Sequence, residues 1–106
     1  MPSKQTLRKY GLSLEQWSEL IASQGYACPI CHRKFDEKVK PCIDHLHVRN
    51  YKNMKPEKKR MYVRGICCNF CNRRLLAKGM NLEKAKSIVS YLEKFEERLA
   101  TSNPPD

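Results

Sequence analysis

"ICCNFCNRRL", residues Ile66 to Leu75, holds three of the six cysteines in this chain of 106 residues. Cys68 and Cys71 stand two residues apart, a spacing that lets both thiolates face one ion while the backbone turns around it. "CPIC" repeats the spacing at Cys28 and Cys31. One such pair is compatible with dithiol redox chemistry, but two in a short chain complete a tetrahedral four-cysteine zinc site. Cys67 would need three intervening residues to pair with Cys71, so it reads as a buried strand residue. Cys42 belongs to neither pair and reads as a small core residue.

Plain ribbons with two cysteine pairs place about 15–20 residues between them. Here residues 32–67, 36 in all, separate Cys31 from Cys68. A zinc ion would therefore pin together the ends of a large insert. That insert carries "CIDHLHVRN", Cys42 to Asn50, and a basic stretch, "RNYKNMKPEKKR", with six basic residues and one acid.

The formal charge is +10. From Glu83 to Asp106 there are four basic and five acidic residues, which leaves +11 on residues 1–82. A basic surface of this size reads as a nucleic-acid footprint, against the plainer reading of a solvated face. Mean hydropathy is −0.70, and no window approaches the roughly 18 apolar residues of a membrane span. "MPSKQTLRKY" lacks the apolar region of a secretory signal. The expectation is a cytoplasmic protein, with no membrane partner and its cysteines in a reducing compartment.

"SLEQWSELIASQG" reads as a helix. Ser13 and Gln16 occupy capping-box positions, Leu14, Trp17, Leu20 and Ile21 form one apolar stripe, and Gly25 supplies the stop. "NLEKAKSIVSYLEKFEERLA" reads as a longer helix capped by Asn81, whose stripe from Leu82 to Leu99 is expected to pack on the domain, with a partner helix as the alternative. Between them the order is strand ("KPCIDHLHV"), basic loop, strand ("RMYVRGICC") and a helix from Asn69 that ends near Gly79. The fold class is therefore α+β. One domain is expected over 1–100, with its core at about 40–79, and a disordered tail over 101–106.

With four thiolates serving zinc, Asp44, His45 and His47 are not needed there. Aspartate and asparagine oxygens suit a hard ion such as Mg²⁺ held against phosphate. Asn72 follows Cys71 directly, so the zinc site fixes its position. A neutral histidine beside such an ion can take a proton from attacking water. Strand alternation opposes this grouping, since Asp44 would point to one face and His45 and His47 to the other. Convergence requires the strand to end, bend or bulge there. The residues alone leave two readings open, a nuclease and a non-catalytic zinc module that binds nucleic acid.

"YGLSLEQW", "QGYACPIC", "IDHLH" and "VRGICCNFCNRRL", in order from about Tyr10 to Leu75, resemble the phage recombination endonuclease VII family of HNH (ββα-metal, or His-Me finger) endonucleases. The resemblance implies a zinc-stapled ββα-metal fold with flanking N- and C-terminal helices. It implies one structural Zn²⁺ on Cys28, Cys31, Cys68 and Cys71, and one catalytic Mg²⁺ or Mn²⁺ on Asp44 and Asn72. His45 would be the general base on a bent strand, and cleavage of DNA phosphodiesters would leave 5′-phosphate and 3′-hydroxyl ends. His47 matches a further family histidine, which contacts phosphate or orients the site, with a structural role as the alternative. Leu46 stands where a second aspartate is common, so this chain has one carboxylate fewer near the ion.

The basic loop is longer than the family's usual turn and reaches extra phosphates in this reading. Arg64, Lys52, Lys55, Lys58, Lys59, Arg60, Arg73 and Arg74 are the expected DNA contacts. The substrate is duplex or branched DNA. Junction-resolving members carry a longer C-terminal part that builds an intertwined dimer, so a compact monomeric nuclease or nickase is expected here, with a homodimer as the alternative.

Overall fold

The computed structural model describes residues 1–77 and 79–102. It opens on a helix, α1 (Lys4–Lys9), capped by the Ser3 hydroxyl, which accepts from the Thr6 N–H. The sequence offers little sign of this element beyond Leu7, its one buried residue. Helix α2 (Leu14–Ser23) carries the anticipated capping box: Gln16 N donates to Ser13 Oγ at 3.0 Å, and Ser13 N donates to Gln16 Oε1 at 2.9 Å. Trp17 and Ile21 are buried, whereas Leu14 lies beyond the core and is exposed.

Strands β1 (Pro41–His45) and β2 (Val63–Cys68) form a two-stranded antiparallel sheet, with Ile43 opposite Ile66. Ile43 and Ile66 join Leu7, Trp17 and Ile21 in the main core. The outer edge of β2 is closed by a side chain. Gln24 Oε1 accepts from Ile66 N at 2.9 Å, and Gln24 Nε2 donates to Ile66 O at 2.7 Å. One amide thus satisfies both backbone groups of a residue with no exposed surface, which would otherwise stand unpaired.

The basic stretch expected as a loop is largely helical. It holds a 3₁₀ turn at Tyr51–Asn53 and a helix, α3 (Pro56–Met61), which starts with Pro56 in its first turn. The arm packs back on the turn between α1 and α2. There Gly11 has φ +70°, and a Cβ on it would overlap the Pro56 carbonyl.

Helix α4 (Asn69–Arg74) follows β2 directly and packs against both strands. It stops well before Gly79, because Leu75 N and Leu76 N both return to the Cys71 carbonyl and Leu76 turns in to cover the cysteines. Helix α5 (Leu82–Ser102) is capped by Asn81 Oδ1, which accepts from Lys84 N at 2.8 Å. Its apolar stripe does not pack on the domain, which corrects the sequence expectation: every large apolar side chain from Leu82 to Leu99 is exposed. The radius of gyration, 17.5 Å, exceeds the ~13 Å of a compact chain this long, as a projecting helix requires. Residues 101 and 102 continue α5, and the rest of the expected tail lies outside the described residues. No helix among the described residues is long and apolar enough to cross a membrane.

Candidate active site

The turn after Cys28 reverses the chain. His32 N donates to the Cys28 carbonyl and Cys28 N to the Arg33 carbonyl, both at 2.9 Å, while His32 takes a left-handed conformation at φ +67°. Cys68 caps α4 with its sulfur, which accepts from Cys71 N at 3.3 Å. The sulfurs of Cys28, Cys31, Cys68 and Cys71 lie within 4.8 Å of one another, and Cys31 Sγ is 3.7 Å from Cys68 Sγ. Zinc–sulfur bonds of about 2.3 Å in a tetrahedron space sulfurs about 3.8 Å apart, so the four thiols can hold a structural metal such as zinc.

Arg33 lies against this cluster, its Nε 3.4 Å from Cys31 Sγ and its Nη2 3.6 Å from Cys68 Sγ. Its guanidinium lowers the Cys31 thiol to about 6. Cys67 is buried in β2 outside the cluster, and burial pushes its thiol up to about 12. Cys42 is partly buried on β1.

The sheet is interrupted beside these residues by a bulge. Asp44 pairs with Gly65, but His45 pairs with Val63, so Arg64 has no partner and β1 ends at His45. The extra residue lies in β2 and twists that strand locally. Asp44, His45, His47 and Asn72 line one cleft of about 320 Å³, together with Tyr10 and Arg73. Asn72 reaches it from α4, one residue past the buried Cys71.

The His45 ring sits in an aromatic cluster, with centroids 5.1 Å from Tyr10, 4.5 Å from His47 and 4.6 Å from Tyr51. Burial, then the neighbouring His47, lowers its pKa below the ordinary histidine value, so the ring favours its neutral form. Burial also pushes the Tyr51 phenol up to about 12, and Tyr51 Oη donates to the Lys59 carbonyl at 3.1 Å. Tyr10 and Tyr51 were not among the expected site residues. Tyr10 stands in a quoted motif, but its nearness to His45 depends on how α1 folds over β1.

Asp44 is buried at 5% exposure. Arg64 grips it in a fork, with Nε donating to Oδ2 at 2.7 Å and Nη2 to Oδ1 at 3.0 Å, while Nη1 donates to the Met80 carbonyl at 3.0 Å. The arginine expected on phosphate therefore turns inward. Arg73 and Arg74 are exposed on α4, and Arg73 lines the cleft. Lys52, Lys55, Lys58, Lys59 and Arg60 lie on the helical arm. Lys59 Nζ stands 6.0 Å from the Tyr51 ring centre, and Arg60 lines a separate cleft beside Gly11.

Asp44 and Asn72 carry the oxygen donors that a hard divalent ion takes, and both line this cleft, with the Asp44 carboxylate oxygens engaged by Arg64.

The sequence profile of recombination endonuclease VII matches residues 3–94. The chain belongs to the recombination endonuclease VII family. It is also 28% identical over 89 residues to the Gene 59 protein of Mycobacterium phage D29, an alignment covering 83% of this chain and 47% of that protein. The chain thus spans about half the length of this curated relative. No solved structure matches it. The four clustered cysteines supply the place for a structural metal.

Proposed function

We propose that this chain is an HNH-type, ββα-metal endonuclease that hydrolyses DNA phosphodiesters. In this reading one structural Zn²⁺ is held by Cys28, Cys31, Cys68 and Cys71, and Asp44 and Asn72 hold one Mg²⁺ or Mn²⁺. The observation that carries it is the cleft that Asp44, His45 and Asn72 line together, with Cys71 of the cysteine cluster directly before Asn72 on the same helix.

The divalent ion, when bound, stabilises negative charge on the phosphate as the bond breaks. His45 takes the proton from the attacking water, and its surroundings keep it neutral for that task. Tyr10 and Tyr51 hold the imidazole in place by ring contact. His47, exposed beside His45, orients it or meets phosphate. Arg73, Arg74 and the basic arm contribute sequence-independent contacts to the DNA backbone. The substrate is DNA, duplex or branched.

Of monomer and homodimer, the uncovered face of α5 favours the homodimer. Its first half carries Glu83, Lys84 and Lys86, and its second half Glu93, Lys94, Glu96, Glu97 and Arg98. Antiparallel pairing with a second copy sets the net positive half against the net negative one.

The test is relaxation of supercoiled plasmid by the zinc-loaded chain with Mg²⁺ or Mn²⁺. His45→Ala is expected to lose at least about 100-fold in rate while its melting temperature and DNA affinity stay close to the parent's. Cleavage that survives His45→Ala overturns the assigned base. Absence of cleavage on plasmid, linear duplex and four-way junction alike favours a non-catalytic binding module.

A further inference from the structure

Asp44 faces two competing demands. Its carboxylate is to hold a divalent ion, yet Arg64 engages both of its oxygens. We propose that Arg64 is a positioning residue that keeps the Asp44 carboxylate closed until a DNA phosphate draws the guanidinium away, so that binding of the divalent ion and binding of DNA are coupled. The proposal rests on the metal-site reading of Asp44 and Asn72.

A buried carboxylate with no partner is costly, so this site must supply a positive charge when no divalent ion is present. The planar fork of an arginine fits a carboxylate with two parallel hydrogen bonds, and it fits a phosphate in the same way. Arg64 is thus suited to exchange one partner for the other.

The structure shows how the exchange is permitted. Arg64 is the residue the bulge leaves without a cross-strand partner. Its side chain is 31% exposed whereas that of Asp44 is 6% exposed, so the guanidinium has a route outward that the carboxylate lacks. The Met80 carbonyl takes the Nη1 donor and fixes the inward position.

Arg64 and a divalent ion repel each other at a shared carboxylate. Each therefore weakens the other's hold on Asp44. A phosphate that accepts from Arg64 relieves this conflict and opens the carboxylate to the ion. By linkage, the ion then tightens DNA binding by the same factor. A nuclease built this way takes up its ion mainly when a phosphate is in place.

The experiment measures Mn²⁺ affinity by electron paramagnetic resonance on the zinc-loaded chain, in a His45→Ala background that prevents cleavage, with and without a short DNA duplex. With Arg64 intact, the duplex is expected to tighten Mn²⁺ binding about ten-fold. Arg64→Gln is expected to bind Mn²⁺ about ten-fold more tightly without DNA, and the duplex then adds little. Arg64→Lys keeps the charge and loses the fork, so it should fall between the two. It also serves as the test if Arg64→Gln does not fold. Unchanged or weaker Mn²⁺ affinity in these variants overturns the proposal while leaving the metal site standing. Mn²⁺ binding that is absent, or indifferent to Asp44→Ala, removes the site itself and the coupling with it.

Discussion

In α2, Trp17 and Ile21 are 8% and 6% exposed, whereas in α5 Ile88, Leu92 and Phe95 stand 46%, 53% and 50% exposed. Both helices carry an apolar stripe at helical spacing, and both are capped by a side chain at the N-terminus. The difference lies in what the rest of the chain brings to them. The sheet lies against α2 and shares its core, and Gln24, just past the helix, reaches across to Ile66. By contrast, α5 is tied near its start, where Arg64 holds the Met80 carbonyl and Asn81 caps the first turn. An amphipathic pattern states that a helix needs cover, not where the cover comes from.

The largest expected effect separates the two regions by way of the metal. Stripping zinc with a chelator should unfold the core that buries α2, because the cysteine cluster joins residues 28–31 to 68–71 behind the sheet. Circular dichroism and amide exchange should both report the loss. A chelated chain that kept Ile43 and Ile66 protected would break the claim that the metal holds this half.

Next come the paired truncations. Trp17→Ala should cost about 3–5 kcal/mol in urea unfolding, while Leu92→Ala in dilute solution should change stability by less than about 0.5 kcal/mol. A melting temperature that rises with protein concentration, and loses that dependence in Leu92→Glu, would sharpen the contrast by showing that a second copy covers α5. Equal costs for the two truncations at all concentrations would erase it.

The smallest effect is a pH slope that belongs to the core side alone. His45 has a folded-state pKa below its unfolded value of about 6.5. The unfolded state therefore binds more protons between the two values, and stability rises with pH through that window. The contribution is full above the unfolded pKa and is lost as pH falls through the folded one. Melting temperatures between pH 5 and 8 should show this slope, and His45→Asn should flatten it. An unchanged slope in His45→Asn would mean that His45 is not the group responsible.

Much of the fold was legible because its signals are local. The capping box at Ser13 and Gln16, the cap at Asn81, the two cysteine pairs and the burial of Cys67 each follow from a few adjacent residues. Other features depended on contacts distant in sequence. The basic stretch became helical where Pro56 starts a helix that docks on Gly11. Helix α4 stopped early because Leu76 is drawn over the cysteines.

The candidate site divides the same way. By itself the sequence named Asp44, His45, His47 and Asn72, since residue chemistry and the fixed offset of Asn72 from Cys71 are written in the chain. It also stated the geometric condition they must meet, that the strand cannot run straight through Asp44. The tertiary structure alone decided that the sheet bulges at Arg64, that Tyr10 and Tyr51 close around His45, and that Arg64 turns inward to Asp44. Register, ring packing and ion pairing join residues far apart in the chain, and short-range pattern carries no record of which distant group arrives.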